Sequence, residues 1–271
     1  MSDSQASLTP VDPTLVERRL IDRGVPWPKP HVIASTGSTN ADLMELARGG
    51  APEGTVVVAD EQTAGRGRLG RTWVSAPGTG LWSSVLIRMG PSEGRGLLPL
   101  LAGVAVADAV RRQGVLAVLK WPNDIVIDGA AFDGSPGPRK VAGVLSESDG
   151  EDAVVIGVGV NVSQGQDDLP IPAATSLALE GGHVSREELL VDILTRLHEA
   201  VEDLRTAGGM ATLDEYRRLC LTLGRDVAVR LPTGEELAGR AVGVADDGQL
   251  EVLTARKTVF VAAGDVIHAT I

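Results

Sequence analysis

The chain has 271 residues, 25 Lys+Arg against 36 Asp+Glu, and a formal net charge of -11. At about 100–200 residues per domain, that length makes one large domain, or a large one plus a small one, with core enough to need no staples. The single cysteine, Cys220, excludes an internal disulfide and any cysteine-pair zinc or iron–sulfur site.

One free thiol and no signal peptide point to a reducing, cytoplasmic setting. No apolar run reaches the about 18 residues of a membrane helix. The acidic balance argues against a general nucleic-acid binder. The cations are 21 Arg and only 4 Lys, so a lysine inside a motif carries extra weight.

In chain order, residues 1–12 are polar and without hydrophobic period, and read as a disordered tail. Leu15, Val16, Arg19 and Leu20 fit a short amphipathic helix stopped by Gly24 and Pro26. A strand is expected over 31–34 and a turn over 35–40. Thr39 followed by Asp42 has capping-box spacing and opens a helix that Gly49-Gly50 ends. TVVVAD at 55–60 reads as a buried strand. Residues 61–80 form a twenty-residue loop with six glycines or prolines; a loop that long in a compact domain is functional or disordered. Strands over 81–89, 117–121, 125–128, 140–147 and 153–162 and helices over 97–112, 186–205 and 213–223 follow. From Asp226 the grammar changes to five short strands, about ten residues apart, split by Pro-Thr-Gly, Asp-Asp-Gly and Ala-Gly-Asp turns. That pattern predicts a small all-β barrel beyond a domain boundary near residue 223.

Four segments can carry chemistry. The first, GRGRLGR at 65–71, matches G-x-G-x-x-G. The residues after it cannot open a helix, so the dinucleotide fingerprint is not met. Three arginines on a glycine backbone suit a polyanion such as a nucleotide phosphate, or form a solvated basic loop. The second, KWPND at 120–124, sits at a strand end. Asn123 and Asp124 fit a plain turn, and Asp124 also suits Mg²⁺ or a ribose hydroxyl. In the third, RKVAGVL at 139–145, Lys140 opens a β-run in which Gly143 leaves room for a ligand. A lysine at a hairpin end reads equally well as surface. In the fourth, GVGVNV at 157–162, interior glycines mark close approach by a ligand or by another backbone. No lysine follows a glycine, so a P-loop is excluded. The four histidines, His31, His183, His198 and His268, have no metal-ligand spacing.

Together STGSTN at 35–40, EQTAGRGRLGRTW at 61–73, KWPND at 120–124, RKVAGVLSE at 139–147 and GVGVNV at 157–162 resemble the biotin protein ligases, in that family's order and spacing. The resemblance spans roughly residues 30–270. It implies an α+β fold: a mixed β-sheet catalytic domain packed with helices, of the class II synthetase-like biotin/lipoate ligase type, plus a small C-terminal β-barrel. The division it suggests is a tail over 1–12, a catalytic biotin- and ATP-binding domain over 13–223 and the small domain over 224–271. It implies biotin contacts at Ser38, Thr39, Asn40, Gln62, Arg66, Gly67, Arg68, Lys140 and Gly143. It implies nucleotide contacts at Arg68, Arg71, Trp73, Lys120, Asn123, Asp124 and Asn161, and Mg²⁺ at Asp124. Lys140, Arg66 and Arg68 take the catalytic roles. ATP with Mg²⁺, biotin and a biotin carboxyl carrier domain are the implied partners. Only 34 residues precede STGSTN, too few for the winged helix of the family's repressors, so a monofunctional ligase without operator binding is expected. The alternatives are a lipoate or octanoate ligase and a non-catalytic biotin-responsive repressor.

Overall fold

The computed structural model describes residues 9–90, 94–183 and 185–268. Most of the tail expected over 1–12 lies outside them. Its end is packed: Val11 is buried, and Asp12 caps helix α1 (Pro13–Asp22) by accepting from the Thr14 and Leu15 amides. The packed chain therefore starts before residue 13.

Seven strands make the main sheet: β1 (His31–Thr36), β2 (Val56–Gln62), β3 (Gly80–Arg88), β4 (Ala117–Lys120), β5 (Asp124–Ile127), β6 (Arg139–Ser148) and β7 (Ala153–Asn161). Their order is β1-β2-β3-β7-β6-β5-β4, with β1 and β2 parallel and the other pairs antiparallel. The sheet is thus mixed, as expected. Strands β2, β3 and β7 are mostly apolar on both faces because both faces are covered. Val57, Leu86 and Val155 point to helix α2 (Thr39–Arg48). Val56, Val85 and Ile156 point to the main core under helices α3 (Leu98–Arg112) and α4 (Arg186–Ala207). Helix α3 is apolar nearly all round because it is enclosed between sheet and helices.

Helix α5 (Met210–Leu219) ends earlier than its apolar period suggests. The Leu221 amide donates to the Leu119 carbonyl at 2.7 Å, so the chain leaves the helix to cover the edge strand β4. The capping box on Thr39 does not form. Ser38 is the N-cap, Thr39 is turned toward Gln62 and Ser84, and Asp42 accepts from Thr36 at 2.6 Å.

Beyond residue 223 come β8 (Asp226–Arg230), β9 (Glu236–Val244), β10 (Leu250–Leu253), β11 (Thr258–Val261) and β12 (Asp265–His268). They form one antiparallel sheet in the order β11-β10-β9-β8-β12. The expected barrel is corrected: β11 and β12 lie at opposite edges and do not pair, so the sheet is open. Strand spacing and turn chemistry are the same for a barrel and an open sheet, whereas closure depends on edge pairing, which leaves no local signal. The inner face, with Val227, Val229, Ala241, Leu250 and Val252, joins the main hydrophobic core.

Candidate functional site

A cavity of about 340 Å³ lies over β6 and β7, and every residue singled out from the sequence lines it. Its floor is a glycine trough. Gly143 on β6 pairs directly with Gly159 on β7. A Cβ on Gly159 would meet the Trp73 ring at 2.7 Å, and one on Gly157 would meet Asn40 Oδ1 at 2.3 Å. The strand glycines therefore serve close approach by side chains as well as by any ligand.

One end of the trough is a buried polar chain at the start of α2. Gln62 Oε1 accepts from the Thr39 amide at 2.9 Å, and Gln62 Nε2 donates to Ser75 Oγ at 3.0 Å. Ser84 Oγ lies 2.7 Å from Thr39 Oγ1 and 2.6 Å from Asn40 Oδ1. A hydroxyl has one proton. Ser84 shares its proton between Thr39 Oγ1 and Asn40 Oδ1, and the Thr39 hydroxyl donates in turn to Gln62 Oε1 at 3.1 Å. Asn40 Nδ2 then faces β6, donating to Glu147 Oε2 at 2.7 Å and to the Leu145 carbonyl at 3.2 Å. Ser38 borders the same end and is buried.

The other end is cationic. Lys140 Nζ pairs with Asp124 Oδ1 at 2.5 Å and lies 5.0 Å from the centre of the Trp73 ring. Lys120 and Asp124 face each other across the β4–β5 hairpin. Burial pushes the Lys120 ammonium below the ordinary lysine range; Lys140 and Arg71 add to this, and Asp124 opposes it. Within KWPND the Trp121–Pro122 peptide is cis, and Trp121 is buried with its indole N–H on the Gly248 carbonyl at 3.1 Å. Asn123 is fastened to β6, its Nδ2 donating to the Val144 carbonyl at 2.8 Å. Asn161 is buried and donates to the Thr175 carbonyl at 2.9 Å, so its amide shapes the cavity wall.

The long loop is narrower than its composition suggests. Residues 65–73 fold back as a hairpin in which the Gly67 amide donates to the Arg71 carbonyl at 2.7 Å and the Trp73 amide to the Gly65 carbonyl at 2.9 Å. A Cβ on Gly65 would lie 2.5 Å from the Trp73 carbonyl oxygen. Leu69 at the tip has a φ of 57°. The hairpin carries Arg66, Arg68 and Arg71 to the cavity, each on a partner. Arg66 is on Glu147, Arg71 is on Asp265 of β12, and Arg68 reaches Asn123 Oδ1 at 3.3 Å and the Gly264 carbonyl at 3.4 Å. Burial lowers the Arg68 pKa, and Arg71 beside it adds to that effect. Trp73 Nε1 is buried with no hydrogen-bond partner among the described residues and borders the cavity.

Sequence reading missed Ser75, Ser84, Glu147 and Asp265. Glu147 closes the RKVAGVLSE motif without a role that the motif assigns, the other three stand in no spacing pattern, and each acts on residues distant in the chain. Among the described residues no group of three His, Cys, Asp or Glu side chains is set to hold a metal ion. Asp124, assigned to Mg²⁺ on the sequence, has its Oδ1 on Lys140. These donors do not make a resident metal site.

An apolar trough with a hydrogen-bonding recess at one end, Lys120, Lys140, Arg68 and Arg71 toward the other and Arg66 above it defines a site for a small anionic ligand with a neutral polar head. Residues 32–161 match the biotin/lipoate A/B protein ligase family, and residues 222–269 match the biotin protein ligase C-terminal domain. The chain is 36% identical to the biotin–[acetyl-CoA-carboxylase] ligase of Mycobacterium tuberculosis, over 99% of each protein. The Aquifex aeolicus biotin protein ligase in complex with biotin and ATP superposes with a TM-score of 0.75 at 28% identity, over 89% of this chain and 99% of that one. The Leishmania major biotin protein ligase in complex with biotinyl-5-AMP superposes with a TM-score of 0.54 at 25% identity, over 90% and 99%. This chain belongs to the biotin protein ligase family.

Proposed function

We propose that the chain is an ATP-dependent biotin–protein ligase that forms biotinyl-5′-AMP and transfers the biotinyl group to a lysine of a biotin carboxyl carrier domain. One observation carries the reading. All five motif segments converge on a single cavity, with Lys140 where the glycine trough meets the arginine hairpin.

The neutral ring of biotin lies in the recess of Ser38, Thr39, Asn40 and Gln62, and its aliphatic chain runs over Gly143 toward Lys140. A carboxylate is a poor acyl donor because its leaving group would be an oxide. Its oxygen therefore attacks the α-phosphorus of ATP, the bond to the β-phosphate oxygen breaks, and pyrophosphate leaves. Both reactants are anions, so Lys140 exchanges Asp124 for the carboxylate and phosphate. Arg66, Arg68 and Arg71 balance the remaining charge. Trp73 with Lys120, Asn123, Asp124 and Asn161 bounds the nucleotide end. Little covalent work falls to the protein, and positioning carries the rate. The hairpin keeps water from the mixed anhydride. In the second step a neutral carrier lysine amine attacks the acyl carbon, AMP leaves with the bonding pair, and the amide forms as the amine loses its proton.

The catalytic unit over residues 13–223, its class II synthetase-like kinship, the small domain over 224–271 and a cytoplasmic setting belong to the same reading. No described helix is long and apolar enough to cross a membrane. The match over 222–269 to a biotin ligase C-terminal domain supports biotin over lipoate. The test is incubation of the protein with biotin, MgATP and a carrier domain. A carrier heavier by one biotinyl group is expected, and a carrier of unchanged mass refutes the proposal.

A further inference from the structure

We propose that Glu147 is a positioning residue that ties the floor of the biotin recess to the hairpin covering it. This rests on the biotin-ligase reading of the cavity. A single oxygen, Glu147 Oε2, accepts from Asn40 Nδ2 at 2.7 Å and from Arg66 at 3.5 Å. Asn40 belongs to the floor, and Arg66 belongs to the hairpin, 81 residues away from Glu147 in the chain.

The first bond sets which way the Asn40 amide faces. Its oxygen is on Ser84 at 2.6 Å. A flipped amide would turn that oxygen onto the Glu147 carboxylate, lone pairs against negative charge. A residue at 147 without an acceptor oxygen would oppose the flip far less. Because Asn40 is buried, its orientation decides whether the recess offers a donor or an acceptor to a neutral polar ring. The Asn40 bond is charge-assisted and short, hence strong.

The second bond is different. The Arg66 side chain is 49% exposed and the separation is long, so the pair is weak. The two bonds on one oxygen are therefore unequal. The hairpin can leave Glu147 and bring Arg66 to an arriving anion while the floor keeps its geometry. Glu147 holds Arg66 beside the site before the ligand arrives.

Two substitutions separate the roles. Glu147→Gln keeps an oxygen that accepts from Asn40 but removes the charge that holds Arg66. In the ligand-free full chain, trypsin cleavage after Arg66 should quicken by up to about fivefold, with the biotin KM within about twofold of wild type. Glu147→Ala removes both bonds. It should raise the biotin KM for pyrophosphate release about tenfold, with kcat little changed, and quicken the cleavage equally. A merely structural glutamate would lower the melting temperature in both variants without splitting KM from kcat. Glu147→Ala with a wild-type biotin KM, or Glu147→Gln with wild-type cleavage, overturns the proposal. If Glu147→Ala fails to fold, cleavage of Glu147→Gln decides. A wild-type protein without biotin-dependent pyrophosphate release refutes the ligase reading instead, and the ligand-free cleavage still tests the tether.

Discussion

Lys140 on β6 and Lys120 on β4 flank Asp124 on the strand between them, β5, and the ion pair with it is made by Lys140. Lys140 is paired with Asp124 at 2.5 Å, and its side chain is partly exposed. Its loss leaves no core cavity, so Lys140→Ala should melt within a degree or two of wild type while pyrophosphate release is lost. Unaltered turnover would remove Lys140 from the chemistry. Lys120 is desolvated, and its pKa is lowered. The unfolded chain therefore binds this proton more tightly than the folded one. The destabilisation is fully present below the folded pKa and fades as pH rises toward the free-lysine value of about 10.4. Lys120→Met should melt about 1–3 °C above wild type at neutral pH, with the gap closing as pH approaches 10. A gap independent of pH would deny the desolvated charge. Both lysines were legible because lysine is scarce here and each sits in a motif. Glu147, Ser84 and Asp265 were not, because what they do depends on which distant elements β6, β3 and β12 meet.

At the scale of elements, the hairpin over residues 65–73 is held by few bonds and many glycines, so its ordering is entropically costly. Ligand contacts with Arg66, Arg68 and Arg71 offset that cost. Trypsin cleavage at these arginines should slow several-fold with biotin and ATP present, and equal rates with and without ligand would deny a closing cover. Arg68 ties the hairpin both to Asn123 and to the Gly264 carbonyl. Arg68→Gly should still form the adenylate, since Lys140 remains, but should release it to solution. With biotin, MgATP and serum albumin, the variant should then biotinylate the albumin, and a variant as selective as wild type would remove this role. The regular elements were legible where an apolar run or a helical period marked them, as in α3, β2 and β7 for the first and α4 for the second. The loop's hairpin was not, because its bridges pair Gln62 with Ser75 and Arg66 with Thr72 through backbone groups that any residue carries. The open form of the C-terminal sheet was hidden for the same reason.

Across the whole molecule, the two sheets are joined where the cavity needs them. Trp121 of the KWPND hairpin bonds the Gly248 carbonyl, and the C-terminal sheet returns Asp265 and Val266 to the cavity wall. The buried faces of both sheets belong to one continuous hydrophobic cluster, running from Val56 and Val85 through Leu119 and Trp121 to Val229 and Leu250. Exposing the inner face of the small sheet would strip water-free contacts from the main core, so neither part opens without weakening the other. Calorimetry should therefore show one unfolding transition, in which near-ultraviolet and far-ultraviolet signals coincide. Ligand that binds only the folded state should move that transition upward as a whole, by about 2.7 kcal/mol at a hundredfold excess over Kd. Trp121→Phe keeps the ring's bulk but strands the Gly248 carbonyl, and should lower the midpoint by about 2–4 °C. The transition should stay single in that variant, because the apolar cluster, not the one hydrogen bond, couples the sheets. Two resolved transitions in the wild type would show that the small sheet stands on its own core and that its contacts around Trp121 are incidental.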